Sequence, residues 1–318
     1  MKSFKPVDES LFFSRGDKND PRLGELSKSV VLNELPKAGA NSFVLAGYPD
    51  DAGIKINGGR LGAAHAPDVI RKYLYKMTPS YLASQVPDSL HDIGNLNLDA
   101  ELEARHKIAR EAARAAMNKG YKWISFGGGH DYGFSDASAF CESVQSSGKP
   151  LVINFDAHLD VRPIDKGLSS GTPFFRLLSE FREIDFVEIG IQGQCNSKAH
   201  VEWLKERGGK ILSMEEIRAA SETFAITTLK FLEPYLLKKR PAFISVDIDA
   251  FSSSDAPGCS QSWATGIRAE EFFDVYQVLL KRLDVRALSI YEVSPPLDQD
   301  DRTSKLAAII AHRYLYQL

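Results

Sequence analysis

Three cysteines in 318 residues, Cys141, Cys195 and Cys259, are too scattered for a disulfide framework or a Cys-x-x-Cys site, and their number is odd. That scarcity points to a reducing compartment, the cytoplasm or another intracellular one. No apolar run reaches bilayer-spanning length, and the leader MKSFKPVDESLFFSRGDKNDPRL lacks the apolar segment of a secretory signal. An excess of one charge is missing too: 39 Lys and Arg against 42 Asp and Glu, interspersed, leave a net charge of -3. This argues against a broad basic face for nucleic acid or anionic membrane. Neither a P-loop nor a spaced dinucleotide fingerprint occurs, so nucleotide chemistry has no support. No Pro/Gly/Ser-rich linker, charge block or internal repeat interrupts the middle. Residues 1–318 therefore read as a single domain, with 1–40 a polar leader packed on or near it.

What the chain does contain is alternation. NSFVLAG (41–47), YKWISF (121–126), LVINF (151–155), IDFVEIG (184–190), KIL (210–212), AFISVDID (242–249) and VRALSIYEV (285–293) read as strands. Helix-length segments lie between them, one beginning near Pro67 and others at 100–119, 135–146, 222–238, 269–282 and 302–316. The segment 100–119 is the clearest. Alanines and long side chains fill it, Asp99 is placed to cap its free N–H groups, and Gly120 to end it. The alternation predicts a three-layer α/β fold, a mostly parallel, doubly wound sheet with helices on both faces. In such sheets ligands gather beyond the carboxyl ends of the strands. The ionisable clusters fall there: GGGHD follows YKWISF, DAHLD follows LVINF, DID closes AFISV, and Glu292 follows LSIY.

Residues four apart in an extended strand lie roughly 13 Å from each other, so Asp156, His158 and Asp160 serve one site only if the chain turns after the strand. A solvated loop with a chance histidine is the alternative. His130 and Asp131 follow three glycines, which permit a sharp turn and close backbone approach; alone, His130 also reads as a core histidine. Asp247 and Asp249 share one face of a strand end, where two carboxylates repel in an apolar setting unless a cation compensates them. Together His130, Asp156, His158, Asp160, Asp247 and Asp249 supply two imidazoles and four carboxylates. This hard N/O set suits two divalent ions about 3.5 Å apart, Mn²⁺ being favoured over Zn²⁺, Fe²⁺ or Ni²⁺ by the carboxylates. Four aspartates balance two such ions formally, leaving a bridging hydroxide as nucleophile. Cys259 is expected to be a buried thiol outside the set.

In that order, GGGHD, FDAHLD and SVDIDAF resemble the three metal motifs of the arginase/agmatinase ureohydrolase family. The resemblance runs over 43–316 and includes GGRLGAAHAPDVIR (58–71) and YEVSPPLD (291–298). It implies one doubly wound α/β domain, two Mn²⁺ ions per subunit, and a homo-oligomer, trimer or hexamer. It further implies His130, Asp156, Asp160 and Asp247 around one ion, and Asp156, His158, Asp247 and Asp249 around the other. Arginases carry Asn after the second motif and a histidine in an SGNxHG segment; here Val161-Arg162 and Ser169-Ser170-Gly171-Thr172-Pro173-Phe174 stand instead. DAHLDVR, SSGTPF and GYPDDAGIKINGGR (47–60) are similar to the formimidoylglutamase branch, which splits N-formimino-L-glutamate into L-glutamate and formamide. SSSDAPGCSQSW (252–263) replaces the usual Asp-Pro, and Gln261–Trp263 is expected to alter the pocket wall.

On that resemblance Glu292 would pair with the amidine nitrogen, and Asp249 would carry a proton to the departing amine. Arg162 would clamp a substrate carboxylate, with Ser170, Gly171 and Thr172 on the rim and Arg60 or Arg302 making a second contact. The expected partner is a small carboxylate-bearing formimino or guanidino compound, with no nucleic acid and no membrane. Two alternatives stay open: urea release from a guanidino acid, arginine or, less suitably, agmatine; and a noncatalytic metal-binding structural or regulatory protein.

Overall fold

The computed structural model describes residues 3–83, 86–145, 148–236 and 239–318. Among these, ten strands join in one sheet. They are β1 (Phe4–Lys5), β2 (Ser27–Ser29), β3 (Ser42–Gly47), β4 (Ser89–Leu96), β5 (Lys122–Phe126), β6 (Leu151–Phe155), β7 (Asp185–Ile191), β8 (Lys210–Ser213), β9 (Pro241–Asp247) and β10 (Asp284–Tyr291). Their order is β1-β4-β3-β5-β10-β9-β6-β7-β8, with β2 also on β4. Every pairing is parallel except the short antiparallel β1–β4 contact.

Strands β3, β5, β6 and β9 bury every residue, which is why they read as continuous apolar runs rather than as alternation. Helices cover both faces. Ile153 and Ile244 pack in one apolar cluster with Phe272 and Ile310, from the helices Ala269–Arg282 and Arg302–Tyr316. Their chain neighbours Val152 and Phe243 pack in the other, with Ala113 of Leu102–Asn118 and Phe140 of Gly133–Val144. Successive residues thus serve opposite layers, as the two-residue period of a strand requires.

The helix expected from residue 100 begins at Leu102, after Glu101, and no side chain caps it. Asp99 is drawn elsewhere, its N–H donating to Asn97 Oδ1 at 3.2 Å. Helix Ala66–Leu74 carries Pro67 in its first turn, where a missing N–H costs nothing. The expected 222–238 segment is the helix Phe224–Leu232 followed by a 3₁₀ turn, Glu233–Tyr235. Residues 146 and 237–238 of the expected helices lie outside the described residues. Strand β4 and the helices Pro173–Glu180, Lys198–Glu206 and Met214–Ala219 were not expected. The leader does more than rest on the domain, because β1 and β2 both add to β4.

One consequence of the strand order governs the site. Strands β5, β10, β9 and β6 are consecutive, parallel neighbours. Ile290 pairs with Phe126, Tyr291 with Asp247, and Phe155 with Val246, so all four carboxyl ends reach one edge in register.

Candidate metal centre

His130 opens a 3₁₀ turn, His130–Tyr132, directly after the three glycines. Close packing demands the middle one, since a Cβ on Gly128 would lie 2.0 Å from the Asp50 carbonyl oxygen. The His130 ring is fully buried, stacks on Tyr291 with centroids 4.8 Å apart, and meets Ser245 Oγ through Nε2 at 2.9 Å. Nδ1 is thereby aimed at Asp156 Oδ2 (3.1 Å), Asp160 Oδ2 (3.0 Å) and Asp247 Oδ2 (3.1 Å). His158 Nδ1 lies 3.1 Å from Asp249 Oδ2 and 3.6 Å from Asp156 Oδ1. Two groups of ligand-capable atoms result, His130/Asp156/Asp160/Asp247 and Asp156/His158/Asp249, the atoms of each within 4.8 Å of one another. Asp156 belongs to both. Asp247, expected in both, falls in the first alone, and its Oδ1 accepts the Asp249 N–H at 2.9 Å.

The turn required of Asp156–Asp160 is present. Asp160 takes φ +49°, which brings it to the same imidazole as Asp156. Glu292 also sits at positive φ, +63°; its N–H donates to Gly128 O at 2.9 Å and its Oε1 accepts the His130 N–H at 3.1 Å. Left-handed backbone at a residue other than glycine costs roughly 1–2 kcal/mol.

Burial and then the Asp156 charge push the Asp160 carboxyl up to about 6. Burial, followed by neighbouring carboxylates, raises Asp247 and Glu292 well above the usual range. His130 Nδ1 is buried and makes no hydrogen bond, although three carboxylate oxygens surround it. A largely buried cluster of acids around an unpartnered imidazole nitrogen is a donor set that divalent cations complete. The two groups, joined at Asp156, fit a binuclear site. Ser245 on Nε2 is the kind of outer hydrogen bond that fixes the orientation of a ligating imidazole.

Over these groups opens a cavity of about 230 Å³. His158, Asp160, Asp247, Asp249 and Glu292 line it with Asn57, Arg162, Ser170, Cys195, Ser260, Gln261 and Trp263. A larger hollow of about 710 Å³ touches the 252–266 loop but holds none of the six clustered residues.

Of the rim residues expected from sequence, Arg162 and Ser170 line the cavity, whereas Arg60, Gly171 and Thr172 do not. Arg60 donates to the carbonyls of Ser260 (2.9 Å) and Cys259 (3.0 Å), so it braces the cavity wall instead of facing it. Arg302 likewise binds the Ser254 carbonyl, at 2.9 Å. Thr172 is buried and donates its hydroxyl to Ser169 O at 2.8 Å. Gly171 lies under the Arg162 side chain.

Asn57, Cys195 and Ser260 line the cavity without having been singled out. Asn57 Nδ2 donates to Ser170 Oγ at 3.1 Å. Cys195 follows β7, the neighbour of β6, and its place beyond a strand's carboxyl end was the available signal. Cys259 is buried outside both ligand groups, as expected, and the three cysteines are free. No described helix is long and apolar enough to cross a membrane.

The Arginase family model matches residues 41–316. The formimidoylglutamase of Aeromonas hydrophila is 28% identical across 99% of this chain and 100% of its own length. The Trypanosoma cruzi formiminoglutamase, solved with Mn²⁺, superposes with a TM-score of 0.79 at 28% identity, over 94% of this chain and 98% of that one. The Bacillus subtilis formimidoylglutamase gives 0.81 at 28% identity, over 96% and 94%. With this match covering strands β3 to β10 and all four strand ends that carry the clustered acids and histidines, the chain belongs to the arginase family.

Proposed function

We propose that this chain hydrolyses N-formimino-L-glutamate to L-glutamate and formamide at a site holding two Mn²⁺ ions. The observation that carries the reading is one cavity joining two ligand groups and Glu292 to Arg162, whose guanidinium has no ion pair or hydrogen bond among the described residues. The similarity to formimidoylglutamases over almost the whole chain supports the substrate assignment.

His130, Asp156, Asp160 and Asp247 would hold one ion, and Asp156, His158 and Asp249 the other. When bound, the pair supplies Lewis acidity and a water of lowered proton affinity. The remaining work belongs to side chains. Glu292 pairs with the planar formimino cation and holds its carbon in place for attack; a charge-assisted contact in a buried setting suits an amidinium. Asp249 receives a proton from the attacking water and passes it to the glutamate nitrogen. The water oxygen bonds to the formimino carbon, the bond from that carbon to the protonated glutamate nitrogen breaks, and the amine leaves neutral. The water's second proton passes from the nascent formamide oxygen to that amine, giving formamide and the glutamate ammonium. Arg162 binds a substrate carboxylate with its planar fork. We extend the proposal to a homo-oligomer, trimer or hexamer, which light scattering tests.

The deciding experiment supplies Mn²⁺ and offers formimino-glutamate, arginine, agmatine and guanidinobutyrate separately, with products identified by mass spectrometry. Formamide and glutamate from the first alone are expected. Urea from a guanidino compound would overturn the substrate assignment and keep the metal chemistry.

A further inference from the structure

Gly171 is buried and does not adopt a positive φ, so its backbone does not call for glycine. Its surroundings do. A Cβ at this position would lie 2.8 Å from Arg162 Cδ, 3.1 Å from Arg162 Nε and 3.3 Å from Asn57 Oδ1. The Gly171 carbonyl also accepts the Arg162 N–H at 2.8 Å. The neighbouring backbone is held in place: Ser170 N–H donates to Gly53 O at 3.1 Å, and Asn57 Nδ2 to Ser170 Oγ at 3.1 Å. The exposed Arg162 stem is therefore the part free to give way.

We propose that Gly171 is a positioning residue for substrate selection: the missing side chain lets the Arg162 stem lie flat against residue 171, and so sets where the guanidinium stands over the cavity. The inference rests on the reading of Arg162 as the carboxylate clamp. A methyl group there lifts the stem. The displaced atoms belong to a flexible, exposed side chain, so stability changes little while the guanidinium moves. A bidentate contact tolerates little displacement, and clamping weakens.

The test is the variant Gly171→Ala in wild-type and Arg162→Ala backgrounds, all loaded with Mn²⁺. Its readout is the ratio of kcat/KM for N-formimino-glutamate to that for an N-formimino-alkylamine lacking carboxylates. In the wild-type background the ratio should fall about tenfold, mainly through KM, the equivalent of roughly one lost charge-assisted contact. With Arg162 already removed, Gly171→Ala should change it less than twofold, because the group it displaces is gone. An equal fall in both backgrounds, or no fall in either, overturns the proposal. A crystal structure of Gly171→Ala with an unmoved guanidinium overturns it as well. Should the wild type release urea from a guanidino acid instead, the formimino assignment fails. The same ratio, taken for that acid against its decarboxylated analogue, then decides the role of Gly171.

Discussion

Removing the Ser245 hydroxyl tests whether His130 is a metal ligand without touching any ligand. Ser245 and His130 are fully buried, and the contact from Oγ to Nε2 is 2.9 Å. In Ser245→Ala the ring keeps its stacking on Tyr291 but loses the partner of its second nitrogen. Leaving a buried donor unsatisfied costs about 1–3 kcal/mol. Loss of an outer hydrogen bond to a ligating imidazole typically weakens metal affinity about 10–100-fold, or roughly 1.4–2.7 kcal/mol, so the two estimates agree. The effect should fall on one ion of two, because Ser245 contacts the group containing Asp160 and Asp247, not His158 or Asp249. Calorimetric titration of chelated protein with Mn²⁺ should therefore give one weakened and one nearly unchanged site. Ser289→Ala is the matched control: Ser289 pairs with Ser245 across β9 and β10, is equally buried, and donates to Asp136 at 3.0 Å instead of to His130. It should lower stability and leave both affinities within about twofold. Wild-type Mn²⁺ binding by Ser245→Ala, or equal weakening by both variants, would refute the reasoning.

Glu292→Gln should retain both ions by elemental analysis and lose about 10²–10³-fold in kcat, since it neutralises the carboxylate that pairs with the formimino cation and holds its carbon in place; near-normal formamide release would remove Glu292 from the mechanism. Arg60→Ala deletes the two carbonyl contacts that brace residues 259–260, at about 1–2 kcal/mol. Protease nicking of the 252–263 loop should quicken, with metal content unchanged, and a loop as resistant as before would refute the bracing role. Chelation should lower the melting temperature, and Mn²⁺ at 100 times its Kd should restore about 2.7 kcal/mol; no recovery on adding divalent metal would contradict the reading of the acid cluster.

Much of this site could be read in advance because the fold makes it local in sequence. Each of His130, Asp156 and Asp247 lies within four residues of the end of a fully buried strand, so the apolar run announces the position and the polar cluster the chemistry. That four such ends are adjacent was not legible, because β10 inserts between β5 and β9 through contacts far apart in the chain. Strand β4 was missed for a related reason. His91, Asp92 and Asn95 interrupt its apolar pattern, yet Asp92 and Asn95 are there to receive the buried Arg71, at 2.7 Å from Nε and 2.6 Å from Nη1. The rim was the least legible part. Arg60, after Gly58-Gly59, and Arg162, two residues past Asp160, are both arginines beside a motif, and only the tertiary partners, main-chain carbonyls for one and an open cavity for the other, separate bracing from recognition.

The costs of this architecture are concentrated where the function lies. Asp160 and Glu292 hold left-handed backbone, and burial followed by the Asp249 and Asp156 charges opposes ionisation of Asp247. None of these arrangements favours the fold by itself. They persist because strands β5, β6 and β9 are buried on both faces, with β5 and β9 registered against β10 and β6 against β9, so the sheet fixes the strand ends whatever stands on them. The division distinguishes this site from small metal domains in which ligation is the folding energy itself. Here the hydrophobic layers establish the geometry, and cations relieve a repulsion that the layers have already imposed. Chelation should accordingly loosen the segments 127–132, 156–162 and 247–252 before the strands beneath them. Hydrogen exchange measures this directly: strand amides that lost protection together with those segments would show that the metals, not the sheet, hold the edge in place.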